Sequence, residues 1–211
     1  LDGSLTVKHT TNNAAVSGSY RVGGFIGSVE DLKQGAVVSF EHCANNGNVT
    51  GSGNYIGGFA GYVWQNNNVD MTISNSINKG HVTGSGTVGG FVGYIYDNTK
   101  MAITISSSTN NGSVTGVYDV GGFVGYIWVN TNMTVTIINS AFDGNVTGKK
   151  NRVGGFVGVF YGSTNIIMTI EHSTSNGTLT GSDGVGGFVG YVYENMNVII
   201  TISNSTNNAN V

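Results

Sequence analysis

Aromatic side chains recur at two positions of this chain set two residues apart. Tyr62, Tyr94, Tyr126 and Tyr191 hold the first, and Trp64, Tyr96, Trp128, Tyr161 and Tyr193 hold the second. Residues two apart on a strand share a face, so the two columns should stand side by side. A ladder of flat apolar rings with polar edges suits stacking on sugar faces or docking a second filament. Alternatively, the polar residues that follow fold back over the rings and make a second small core. Six Asn-x-Ser/Thr sequons, at Asn48, Asn111, Asn132, Asn145, Asn176 and Asn204, would accept glycans if the source is a eukaryote that secretes the chain. Asn48, Asn111, Asn145 and Asn176 lie at or next to a turn glycine, which would line glycans along one edge. Unmodified polar turn residues are the other reading.

Other chemistries lack a complete set of residues. His9, His42 and His172 share one repeat position, the first two in neighbouring coils. Stacked imidazoles can hold a metal, but no third ligand is evident and Glu41 should face away from His42 on a strand. A polar turn column is the reading, with no metal. Asp70, Asp97 and Glu194 fall singly, whereas glycoside cleavage needs two carboxylates flanking one bond. The serines come with no His and Asp constellation. The Gly-Gly-x-x-Gly block lacks the Lys-Ser/Thr of a phosphate loop, so no catalytic residue and no cofactor is expected. Threonines stack in two columns, Thr72 to Thr201 and Thr50 to Thr180, without the paired Thr-x-Thr rows of an ice-binding grid except at Thr134-Val135-Thr136.

Charge excludes further classes. Eight Lys and Arg stand against eleven Asp and Glu, a net charge of −3, and only 9% of residues are charged. Nucleic-acid binding needs clustered cations, and the densest run is Lys149-Lys150-Asn151-Arg152, read as a solvated loop. No apolar run reaches the roughly 18 residues of a membrane-spanning helix. The one cysteine, Cys43, excludes an intrachain disulfide and stands where other copies have Thr or Ser, as a small packed residue.

What must position the rings is a repeat. The block Val120-Gly121-Gly122-Phe123-Val124-Gly125-Tyr126-Ile127-Trp128 returns with its first glycine at Gly23, Gly57, Gly89, Gly121, Gly154 and Gly186, every 32 to 34 residues. A second block, clearest from Thr104 to Gly116, begins at Thr6, Ser39, Thr72, Thr104, Thr136, Thr169 and Thr201. The chain thus reads as one continuous array over 1–211 with a partial coil at each end. Both blocks are rich in Val, Ile, Thr, Phe and Tyr and punctuated by Gly and Asn, which marks strands. The absence of proline suits strands with neighbours on both sides.

Antiparallel hairpins and a parallel solenoid could both use these strands; identical columns favour the solenoid, in which equal positions stack about 4.8 Å apart. Phe25, Phe59, Phe91, Phe123, Phe156 and Phe188 form an unbroken column, and Asn12, Asn45, Asn78, Asn110 and Asn207 form another, interrupted by Phe142 and Ser175. Stacked phenylalanines would fill the interior and stacked amides would bond along the axis. The expected fold is therefore all-β, a parallel β-helix of about six coils of 32 to 34 residues.

Gly-Gly-Phe-Val-Gly, Thr-Ile-x-x-Ser and Gly-x-Val-Thr-Gly together resemble GLUG-motif repeats over essentially the whole chain. The resemblance implies a β-solenoid without catalysis of its own, of the kind found in large secreted or surface-anchored proteins, including microbial adhesins and some bacterial surface proteases. Phe replaces the usual Leu, and an extra arm such as Asp97-Asn98-Thr99-Lys100 lengthens each coil. The functional expectation is a non-catalytic structural protein of the extracellular surface, an adhesin-like stalk or filament subunit. The alternative is a carbohydrate-binding module using the aromatic columns. A solenoid has open strand edges at both ends, so the expected partner is either more of a longer chain or a second copy stacked end to end.

Overall fold

The computed structural model describes residues 3–211; Leu1 and Asp2 of the expected array lie outside the described residues. It is a solenoid without a helix, whose coils run through five walls, each a parallel sheet. The first sheet stacks seven strands, among them Leu5–Lys8, Val37–Glu41, Ala102–Ser106 and Met196–Ser203. The second, with Thr11–Asn12 first, also has seven; the third, from Val16–Gly18, the fourth, from Val22–Gly23, and the fifth, from Ile26–Glu30, have six each. Seven strands at the usual spacing make an array about 30 Å long. The parallel β-helix expected from the columns is the fold that forms, and its cross-section, which the repeats left open, is five-walled.

Alternation explains the first wall. Ile103 and Ile105 are buried while Ala102, Thr104 and Ser106 are half-exposed, and Thr72, Thr104, Thr136 and Thr169 pair in register without slip. The core column of phenylalanines stacks at centroid separations of 4.9, 4.7, 4.9, 4.7 and 5.5 Å from Phe25 to Phe188. Four of the six, Phe59 to Phe156, are fully buried, and burying a side chain of this size contributes about 1.5–3 kcal/mol.

The corners are built from a left-handed residue followed by a hydrogen-bonding one. Between the first and second sheets the left-handed position is His9, His42, Asn75, Ser107, Asn139, His172 and Asn204, with φ from 48 to 53°. The next residue turns inward. Ser76 Oγ donates to Ser74 O at 2.7 Å and accepts the Cys43 N–H at 3.0 Å, and Ser108, Ser140, Ser173 and Ser205 carry the same hydroxyl from coil to coil. Cys43 is buried in this column and its thiol lies 3.4 Å from Val7 O and Glu41 O. One step along, the asparagine amides bond along the axis, Asn12 to Asn45, Asn45 to Asn78 and Asn78 to Asn110, each at 2.8 Å. The ladder stops where Phe142 follows; Asn110 Nδ2 donates instead to Gly122 O at 2.7 Å.

The polar arm after the rings forms a corner of the coil and does not fold back over the rings. Between the fifth and first sheets Asn66, Asn98 and Asn130 are buried, and their amides form a second ladder with 3.0 Å links. Each also donates to backbone oxygens of its wall, as Asn98 does to Tyr96 O at 3.0 Å and Val63 O at 3.1 Å. In later coils the arm is simply the start of an eight-residue strand, Thr131–Ile138 and Thr164–Glu171.

Candidate functional site

The aromatic residues lie on the fifth sheet, on strands such as Ala60–Trp64, Val92–Tyr96 and Val124–Trp128. Register pairs Tyr62 with Tyr94 and Tyr94 with Tyr126, while Val63, Ile95 and Ile127 between the rings are fully buried in the core. The rings therefore leave the wall on the side away from the phenylalanines. They do not share one environment, however.

The inner column is covered at Tyr62 and Tyr94, while Tyr126 and Tyr191 are half-buried. Tyr62 and Tyr94 are only 5% and 4% exposed. The cover is the segment that leads into the fourth sheet, not the residues after the rings. Tyr55 stacks on both Tyr62, at 4.9 Å, and Tyr94, at 4.6 Å. In the first coil Arg21 takes the equivalent place, its guanidinium 4.7 Å above the Tyr62 ring, and pairs with Glu30 at 3.0 Å. Further along, Asp119 accepts a 2.8 Å hydrogen bond from Arg152 Nε, and Arg152 stands 5.0 Å over Tyr191.

This segment comes so close because the strand beneath it is glycine at that point. A Cβ on Gly93 would stand 2.5 Å from Gly61 O and 2.7 Å from Ile56 N, both backbone atoms. Burial pushes the Tyr62 and Tyr126 phenols up to about 12 and the Tyr94 phenol further in the same direction. Burial also raises Asp119, against the opposing pull of Arg152.

The outer column remains at the surface. Trp64, Tyr96, Trp128 and Tyr161 are half-buried and Tyr193 is exposed. Tyr96 and Trp128 lie 4.9 Å apart, Trp128 and Tyr161 6.2 Å, and Tyr161 and Tyr193 5.6 Å, with planes within 27° of parallel. Each ring thus presents its face to its neighbours in the stack and its edge to solvent. Trp64 joins the set through Tyr62, at 5.9 Å.

All six sequon asparagines are exposed. Asn48 and Asn145 accept from the backbone of the next coil, at His81 N and Thr178 N, through Oδ1, which leaves Nδ2 outward. Asn132 likewise accepts from Asn165, whereas Asn176 Nδ2 is engaged by Asp143 and Asn204 Nδ2 reaches Glu171. The His9 and His42 rings stack at 4.9 Å, with Glu41 3.7 Å from His42 and bonded to Lys8 at 2.8 Å. Among the described residues no three of His, Cys, Asp and Glu gather in a way that could hold a metal. No helix there is long and apolar enough to cross a membrane.

No family model matches the chain, and no curated protein does. Among solved structures it is similar to a candidate immunoglobulin A1 protease from Bacteroides ovatus, at 19% identity and a TM-score of 0.56. The match covers 92% of this chain and 66% of that one, so the chain spans just under two thirds of its neighbour's length. At that identity the likeness is one of fold. It supports the solenoid; the finer resemblance to GLUG repeats rests on the sequence motifs alone.

Sequence reasoning placed the nine rings on the outward side of one strand and missed what divides them. The covering column, Arg21, Tyr55, Thr87, Asp119, Arg152 and Gly184, holds five residue types in six coils, so a search for recurring residues passes over it. The second amide ladder did leave a signal: Asn66, Asn98, Asn130 and Asn195 each stand two residues after the outer ring.

Proposed function

We propose that the chain is a non-catalytic structural array of the extracellular surface, a segment of an adhesin-like stalk or the subunit of a filament. The observation that carries the reading is where the polar groups are spent. Serine hydroxyls and asparagine amides with the right chemistry for a site are committed to bonds between coils, and the rings are committed to one another. Such a molecule transmits position and load along its axis. The Bacteroides ovatus neighbour is named for immunoglobulin A1 proteolysis, and a solenoid of this kind would serve in such a protein as a spacer.

Carbohydrate binding through the aromatic columns is the weaker reading, because a pyranose stacks on a ring face and here the faces meet each other. The test is electron microscopy of the purified protein through a dilution series, with immunoglobulin A1 hydrolysis and glycan binding measured on the same sample. Rods of about 30 Å or of multiples of that length, without hydrolysis, are expected. Cleavage of the immunoglobulin by the array would overturn the non-catalytic reading. Glycan binding lost in Trp128→Ala/Tyr96→Ala, with the rods unchanged, would replace the stalk with a binding module.

A further inference from the structure

Tyr161 and Tyr193 occupy one position of neighbouring coils and are paired in register in the fifth sheet. Their rings lie 5.6 Å apart and 5° from parallel. The Tyr161 hydroxyl donates to Glu194 Oε2 at 2.7 Å, and Glu194 directly follows Tyr193 in the chain. Tyr193 is 48% exposed and Tyr161 is half-buried, so an oxidant in solution reaches both. Other close pairs differ: Tyr62 and Tyr94 are buried, Tyr96 faces an indole, and Tyr191, 5.8 Å from Tyr193, is tilted by 37° to it. Here two accessible phenols stack nearly parallel, with a carboxylate bonded to one of them.

We propose that Tyr161 and Tyr193 are a site of oxidative cross-linking, joined as dityrosine by hydrogen peroxide acting through a peroxidase-type one-electron catalyst. Each phenol gives one electron to the oxidant and its hydroxyl proton to a base, Tyr161 to Glu194, which passes it to solvent, and the exposed Tyr193 to water. The two phenoxyl radicals couple through ring carbons ortho to the oxygens, and the protons on those carbons shift to the oxygens to restore both rings. Overall two ring C–H bonds are broken, one C–C bond is made, and one peroxide becomes two waters.

The strands already hold the two Cα atoms about 4.8 Å apart, so coupling needs only a tilt of two rings whose outer edges are free. With one cysteine the chain has no intrachain disulfide to use, and this bond would tie the fifth-sheet strands of two coils where Val192 and Met196 are open to solvent, 48% and 62% exposed. The proposal stands independently of the stalk reading.

The test treats the whole protein with horseradish-type peroxidase and hydrogen peroxide and follows dityrosine fluorescence, monomer mass and the linked peptides. Expected is a monomeric product two hydrogens lighter, with the Tyr161 and Tyr193 peptides joined. Tyr193→Phe, which sits at the exposed edge and should leave the circular dichroism unchanged, should abolish that product, while Tyr118→Phe should not. Glu194→Gln should slow coupling at neutral pH at least about tenfold and give a rate that climbs as pH approaches phenol ionisation. A cross-link that survives Tyr193→Phe, or that maps only between chains through Tyr20 or Tyr118, overturns the assignment. An unchanged pH profile in Glu194→Gln removes the carboxylate's role.

Discussion

The inner and outer aromatic columns sit two residues apart on the same strands and leave the wall on the same side, the inner one all tyrosine and the outer one tyrosine and tryptophan. Tyr62 and Tyr94 of the inner column nevertheless belong to a second core, whereas the outer column lies at the surface. The difference lies in neither column but in the glycine before the inner ring, which lets the backbone leading into the preceding coil's fourth-sheet strand lie against the wall. Tyr55 of that segment stacks on Tyr62 and Tyr94, and the segment touches the outer column where Arg21 stands 5.7 Å over Trp64. An outward direction on a strand is therefore not the same as exposure, because a solenoid can fold part of its own coil over its outer face.

The most direct way to break the comparison is to deny the close approach. Gly93→Val would put atoms where Gly61 O and the Ile56 backbone stand, and no flexible side chain is present to yield. Overpacking against backbone should cost about 3 kcal/mol or more and expose Tyr62 and Tyr94 together. Urea denaturation combined with tyrosine iodination checks it. A variant as stable as the parent would mean that the covering segment does not lie against Gly93.

Truncating one ring from each column sharpens the contrast. Tyr94→Ala removes a buried ring packed against Tyr55, Tyr62 and Tyr126 and should cost about 3–5 kcal/mol. Tyr96→Ala, two residues on, removes a half-buried ring and should cost about 1 kcal/mol. Equal losses would make the columns one layer after all.

How much of this was legible depends on whether a position repeats its residue. Phe25 to Phe188 and Asn45 to Asn110 recur as identities, since each stacks on its own copy, and from them the parallel solenoid followed. The histidines of the first corner were read as a polar turn column, and their φ near 50° explains the choice: Asn, Ser and His share a place that disfavours β-branched side chains. The cover over the inner rings was not legible. Arg21 works by cation–π contact, Tyr55 by stacking and Asp119 through Arg152, so different chemistries fill one space and leave no common letter. Asn98 was hidden differently, because it lies between Asp97 and Thr99 in a stretch whose polarity suggested solvent.

Alkaline pH should separate the columns without mutation. The folded-state phenols of Tyr62 and Tyr126 lie near about 12, raised chiefly by burial, against about 10 in the unfolded chain. A raised phenol favours the neutral form in the fold, so its contribution is complete below about pH 10 and is lost as pH climbs toward 12. The inner rings should therefore ionise together with unfolding, seen as coincident absorbance and circular dichroism changes. Their ionisation below about pH 11 with the fold intact would place them in solvent.

The smallest effect tests the corner that carries the outer column. Val129 follows Trp128 directly and adopts φ of 51°, where Gln65, Asp97, Gly162 and Glu194 stand in the other coils. A β-branched residue there is an outlier, and the left-handed conformation costs such a side chain about 1–2 kcal/mol. Val129 is 38% exposed, so little packing is lost on replacing it. Val129→Asn should stabilise the protein by about 1 kcal/mol and leave acrylamide quenching of Trp128 unchanged. If the gain came with a shift in Trp128 quenching, the strain would be holding the ring in its stack, and the outer column would depend on its corner as the inner one depends on its glycine.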